Sequence, residues 1–344
     1  MALNETIIHE LSTTAKALVA HNKGLLAMDE SYSTCNKRFA KLGIPQTNEM
    51  RLAYREMLVT AEGLNEGISG AILFDETARQ NLQDGTSFIE ALAGKGIIPG
   101  IKVDAGTVAL ALHSGEKITE GLDNLRGRLK EYLAMGLKFA KWRGVITIGD
   151  NIPTKGCIEA NAHALARYAA LCQEEGLVPI VEPEVLMDGE HSLERCYEVT
   201  EQVLHTVFNQ LYKQGVMLEG IILKPNMVVP GLACPIQASV DEVADATLEC
   251  FLRTVPAAVP GIAFLSGGQS SELASARLNA MNLREKSRRP WELSFSFGRA
   301  IQQPALEIWN GRDENVLKAQ EALYHRVVCN LAARSGTYKE EGKK

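Results

Sequence analysis

The sequence predicts an α/β fold, a single (β/α)8 barrel of parallel strands, on three observations. Eight short apolar runs recur along the chain, segments with helical periodicity separate them, and nearly every run ends in a polar or ionisable group. The runs are 24–29 GLLAMD, 70–75 GAILFD, 97–104 IIPGIKVD, 139–146 FAKWRGVI, 177–185 LVPIVEPEV, 218–227 LEGIILKPNM, 262–268 IAFLSGG and 292–299 ELSFSFGR. Several begin without polar alternation, as strands buried on both faces do. Between them, 158–175 carries Ile158, Ala162, Leu165, Ala169 and Cys172 at helical spacing, with Gly176 as the C-terminal stop. Ser239 followed by Glu242 reads as a capping box opening another helix. Alternating strands and helices imply parallel pairing through right-handed crossovers, and eight such units in 344 residues suit a closed barrel. An open doubly wound sheet is the second choice. No repeat, low-complexity tract or Pro/Ser-rich linker divides the chain, so 1–344 is read as one domain, with 335–344 as a mobile tail.

Composition narrows the function classes. Hydrophobic residues make up 46% and charged residues 23%, enough apolar material for a large core. A net charge of -6 opposes nonspecific attraction to nucleic acid, so no nucleic-acid partner is expected and any anion must be caught locally. Seven scattered cysteines contain no C-x-x-C pair, which indicates neither a disulfide framework nor a zinc site. Met1 through Lys23 lacks the apolar core of a signal peptide, and no stretch approaches a membrane span. These features predict a cytoplasmic protein with no membrane partner; plastid stroma is the alternative for a processed chain. The seven histidines form no H-E-x-x-H or H-x-H, so neither a metal nor another cofactor is expected, and the absence of G-x-S-x-G argues against a serine hydrolase.

The candidate site lies where the proposed strands end, at Asp29, Lys102, Lys141, Glu182, Lys224, Ser266 and Ser296. Barrel active sites occupy this C-terminal rim. Alternation puts Lys102 with Asp104, Lys141 with Arg143, and Glu182 with Glu184 on shared faces. Facing outward, unpaired charges would meet the covering helices at a cost of several kcal/mol each, so the inward mouth is favoured. Salt bridges that merely close the mouth are the alternative for any single member. Lys224 follows the apolar run Gly220-Ile221-Ile222-Leu223 and precedes Pro225, which biases it toward an extended backbone. Burial and a second cation such as Lys141 would favour its neutral amine, the nucleophile a Schiff-base enzyme requires. Simple pairing with Glu182 or Glu184 remains the competing reading. Ser266-Gly267-Gly268, before a helix starting near Ser270, offers backbone N–H groups and a hydroxyl to a phosphate, with Gly298-Arg299 in the next unit. Lys102, Arg38 and Ser31 are candidates for a second phosphate, which would make the ligand a bisphosphate, although Lys37 and Arg38 also read as a solvated helix face.

At these residues the chain resembles class I fructose-bisphosphate aldolase, most nearly the plastid and related bacterial forms, over almost its whole length. The matching segments are LLAMDES (25–31), GAILFDE (70–76), PGIKVD (99–104), FAKWR (139–143), LVPIVEPE (177–184), ILKPNMV (222–228), FLSGGQS (264–270) and SFSFGRA (294–300). The resemblance implies a TIM barrel, commonly a homotetramer. It also implies a lyase that reversibly cleaves fructose 1,6-bisphosphate to dihydroxyacetone phosphate and glyceraldehyde 3-phosphate, in glycolysis, gluconeogenesis or the Calvin cycle. By the same resemblance Lys224 forms the imine, Glu182 is general acid and base around it, and Asp29 takes the C4 hydroxyl proton. Lys141 would assist, Arg143 would hold charge and geometry, and Glu184 would orient the lysines. Ser266, Gly267 and Arg299 match ligands of the C1 phosphate, and Ser31, Arg38 and Lys102 match positions around the C6 phosphate.

Preference for sedoheptulose 1,7-bisphosphate, a transaldolase-like enzyme and a noncatalytic barrel binding protein are the alternatives. Relatives typically end in a tail whose terminal tyrosine assists proton transfer at C3, whereas this sequence stops at Lys344 after Tyr338, so slow C3 proton exchange is expected. Thr34 and Phe297 stand where relatives often carry Ser and Tyr; the first touches on a phosphate contact and the second is read as packing.

Overall fold

Every barrel strand of the structure, a computed structural model describing residues 3–284 and 286–339, falls within one of the eight apolar runs or begins at most two residues before it. The strands are β1 (Gly24–Met28), β2 (Ile68–Leu73), β3 (Ile98–Lys102), β4 (Gly106–Ala109), β5 (Lys117–Glu120), β6 (Phe139–Ile146), β7 (Val178–Val185), β8 (Ile222–Leu223), β9 (Gly261–Phe264) and β10 (Glu292–Phe297). All but β4 and β5 pair in parallel and close in the order β1-β10-β9-β8-β7-β6-β3-β2, so the open sheet is excluded. The run 218–227 yields only two ladder residues because Leu218–Gly220 forms a 3-10 turn and Pro225 has no N–H to donate. The β4–β5 antiparallel hairpin was not expected; strands of only four residues leave little alternation to read.

Three helix starts are set by side-chain caps. The segment read as 158–175 is Lys155–Glu174, because Thr154 accepts from the Cys157 N–H and opens the helix one turn earlier than the apolar pattern. The Ser239–Glu242 capping box is present, opening Val240–Thr254, and Ser270 caps Ser271–Leu283.

The strand pleat sorts the core into two clusters. Leu25, Ala27, Ile72, Phe139, Ile180, Ile222 and Ala263 fill the barrel interior, while Leu26, Met28, Leu73, Ala140, Trp142, Val181, Leu223 and Phe264 face the helices. The interior cluster also contains Leu11, Ala15 and Leu18 of the first helix, Glu5–Leu18, which therefore plugs the N-terminal end of the barrel. Gly100 makes room for this filling: a Cβ there would lie 2.2 Å from the Phe139 ring. The charged interior positions therefore gather at the opposite, C-terminal mouth.

The last helix, Val316–Ser335, ties the plug to the barrel. Buried Arg334 donates to the backbone carbonyls of Val19, Ala20 and Lys23 and pairs with Glu292 at 2.9 Å. Removing it strands those acceptors, so Arg334→Met should lose about 3 kcal/mol of stability in urea denaturation. Of the segment expected to be a tail, Ser335 ends the helix and the Tyr338 N–H donates to Asn279 Oδ1 at 2.9 Å; residues 340–344 lie outside the described residues. Among the described residues no helix is long and apolar enough to cross a membrane.

Candidate active site

The interior parity continues past the apolar filling into charge. One pleat beyond Ala27 is Asp29, beyond Phe139 are Lys141 and Arg143, beyond Ile180 are Glu182 and Glu184, and beyond Ile222 is Lys224. The Lys224 N–H donates to Val181 O at 2.8 Å, which extends the β7–β8 pairing by one residue and aims the lysine inward. These groups, with Lys102 and Asp104, line a cavity of roughly 1470 Å³ at the C-terminal mouth.

Glu182 is the pivot. Its Oε1 lies 3.2 Å from Lys224 Nζ and its Oε2 lies 3.3 Å from Lys141 Nζ, all three residues being buried to 4% exposure. Lys141 also reaches Asp29 at 2.7 Å and Asp104 at 3.9 Å, and Lys102 reaches Asp104 at 2.6 Å. Burial opposes ionisation of Asp29, but the charges of Lys141 and Lys224 outweigh it and hold its carboxyl down at about 2. Burial likewise opposes charge on Lys141, and Asp29, Glu182 and Asp104 reverse this and push its ammonium well above the ordinary lysine value. Glu184, expected to orient the lysines, instead pairs with Arg143; burial raises its carboxyl and Arg143 only partly counters that. The centre holds as many basic side chains as acidic ones, Lys102, Lys141, Arg143 and Lys224 beside Asp29, Asp104, Glu182 and Glu184, which leaves its edges as the places suited to an anion.

One edge is the turn after β9. Gly267 and Gly268 have φ of 59° and 103°, the left-handed backbone that favours glycine, and Arg299 Nη2 lies 3.4 Å from where a Gly268 Cβ would sit. Ser266 is buried beside them, and the N-termini of Ser271–Leu283 and Arg299–Trp309 flank the cavity. Arg299 has no ion pair among the described residues. Backbone N–H groups, a hydroxyl and an uncommitted guanidinium together are chemistry suited to an anion.

The other edge is made by Ser31, Arg38 and Lys102. Arg38 does not lie on a solvated face: its side chain is 10% exposed, and it bonds Glu30 at 2.6 Å and Gln302 at 2.9 Å. Ser31 Oγ sits 3.2 Å from both Ser33 Oγ and Thr34 Oγ1. Phe297 is fully buried against Phe295, as packing.

Every site residue singled out from the sequence lines this one cavity. Sequence reasoning underrated Asp104, which bridges two lysines, and Ser296, whose buried hydroxyl has no hydrogen-bond partner among the described residues; both were visible as inward strand positions. Glu30 and Gln302, the partners of Arg38, carried no signal because the second is 264 residues away in sequence. No group of three or more His, Cys, Asp or Glu among the described residues is placed to hold a metal ion.

The family model described as fructose-bisphosphate aldolase class-I matches residues 10–344. The chain belongs to the class-I fructose-bisphosphate aldolases. It is 56% identical over 333 residues to a probable fructose-bisphosphate aldolase class 1 of Xanthomonas campestris pv. campestris, covering 96% of this chain and 99% of that one. It is 50% identical over 334 residues to the cytosolic fructose-bisphosphate aldolase 6 of Arabidopsis thaliana, covering 97% and 93%. A fructose-bisphosphate aldolase of Plasmodium falciparum, solved with TRAP and a small-molecule inhibitor, superposes with a TM-score of 0.97 at 47% identity, covering 99% and 98%. This aldolase is therefore a carbon–carbon lyase, and its reaction is the reversible aldol cleavage of fructose 1,6-bisphosphate through a lysine Schiff base.

Proposed function

We propose that Lys224 is the Schiff-base lysine and that the residues around it divide the reaction as follows. The observation that carries this is the Lys224–Glu182–Lys141–Asp29 chain: a buried amine beside one carboxylate, which a second lysine links to a strongly acidic one. Neutral Lys224 attacks the ketose C2 carbonyl, and Glu182 moves the protons of carbinolamine formation and of water loss. The imine draws electrons from the C3–C4 bond as the Asp29 carboxylate takes the C4 hydroxyl proton, releasing the aldehyde and leaving an enamine. Enamine protonation at C3 and imine hydrolysis release the ketone and restore Lys224. Lys141 holds Asp29 and Glu182 in place, and Arg143 with Glu184 braces the adjoining wall.

Ser266, Gly267 and Arg299 take the C1 phosphate, while Ser31, Arg38 and Lys102 take the C6 phosphate, with Arg38 exchanging its Glu30 bond for the anion. The test compares two substrates. Arg299→Met should raise KM about tenfold for fructose 1,6-bisphosphate and for fructose 1-phosphate, whereas Arg38→Met should do so only for the bisphosphate. The reverse pattern would assign the ends the other way round. A cavity of roughly 1470 Å³ also admits sedoheptulose 1,7-bisphosphate, one carbon longer, because only the departing aldehyde changes. Likeness to relatives named cytosolic supports residence in the cytoplasm, and the family resemblance supports a homotetramer, which mass measurement in solution tests.

A further inference from the structure

Among the described residues, the fully buried arginines are ion-paired with one exception. Arg51 and Arg55 share Glu76, Arg326 reaches Glu272, and Arg334 reaches Glu292. Arg277, 4% exposed on the inner side of the helix Ser271–Leu283, meets no carboxylate among the described residues. Its Nη1 donates to Gln269 Oε1 at 2.8 Å, and its Nε–H is buried without a partner. Leaving a guanidinium desolvated and uncompensated is costly, and burial alone draws it down to about 10, still protonated at neutral pH.

The position of this charge gives it a use. Gln269 closes the phosphate turn, its N–H donating to Ser266 O at 3.0 Å, and its side-chain Nε2 lies 3.6 Å from Met227 Sδ in the segment that follows Lys224. Gln269 thus joins the turn, the loop of the nucleophile and Arg277. We propose that Arg277 is a positioning residue for the C1-phosphate site: it clamps Gln269 and so fixes the Ser266–Gly268 turn. Beneath that turn it leaves a positive charge whose missing counter-ion is the phosphate of the bound sugar. The free site is electrostatically unsatisfied and binding satisfies it, which favours the dianionic group over a neutral one. Arg277 touches neither the sugar nor the reacting atoms; it acts through Gln269 and through its field. The inference rests on the C1-phosphate assignment above.

The test uses the full chain with Arg277→Gln, which keeps a donor toward Gln269 but removes the charge, and Arg277→Lys, which keeps the charge. Arg277→Gln should raise KM for fructose 1,6-bisphosphate and the inhibition constant of inorganic phosphate together by about tenfold, with kcat changed much less, and Arg277→Lys should recover most of both. Phosphate affinity unchanged in Arg277→Gln, or Lys no better than Gln, overturns the proposal. Ser266→Ala separates the two levels: if it weakens inorganic phosphate and Arg277→Gln does not, only the Arg277 inference falls. If Ser266→Ala also leaves phosphate binding unchanged, the C1-phosphate assignment falls and takes the inference with it.

Discussion

Lys224→Met should lose turnover on the order of 10⁵-fold in kcat/KM, because the covalent electron sink disappears and no other lysine is placed to replace it. Lys141, the neighbour on the same carboxylate, is held by Asp29 at 2.7 Å with its proton favoured by three carboxylates, so it is a poor substitute nucleophile. The fold should survive the change. Methionine fills similar volume, and Glu182, left without Lys224, still has Lys141 at 3.3 Å. A melting temperature close to that of the parent together with the lost activity would place the defect in chemistry. Retained activity above a few per cent would move the nucleophile elsewhere.

Lys141→Met should lower kcat on the order of 10³-fold, since one ammonium holds both Asp29 and Glu182, the proposed base and the proposed acid–base group. It also carries a pH signature with a definite sign. The Asp29 carboxyl, held at about 2 against an ordinary 3.8, contributes stability that is present above the ordinary value and is lost as pH falls through about 2. Without Lys141, burial is opposed only by Lys224 and the more weakly coupled Lys102, so the carboxyl titrates higher. The acid limb of the kcat/KM profile and the onset of acid unfolding should both move to higher pH. An acid limb that stays in place in this variant would detach Lys141 from Asp29.

The barrel and its centre were legible because a strand has a period of two. Once Ile222 is taken as interior filling, Lys224 must point into the mouth, and the same count places Asp29 from Ala27 and Glu182 from Ile180. Positions set by contacts remote in sequence were not legible. Arg38 reads equally well as a solvated helix residue until Gln302 and Tyr54 are brought beside it. Glu184 could be counted inward, yet its choice of Arg143 over a lysine depends on the β6–β7 register, in which Val145 stands opposite Glu184 and Arg143 opposite Glu182. Arg277 looks like any helix arginine in the sequence. Its burial against Gln269 is a property of packing alone.

The central claim is that Lys224 carries the imine, and borohydride trapping with dihydroxyacetone phosphate followed by peptide mass mapping tests it most directly. Wild type should carry one reduced adduct on the peptide containing Lys224, absent from Lys224→Met and formed equally with a chelator present. An adduct on Lys141, no adduct at all, or activity abolished by the chelator would contradict it.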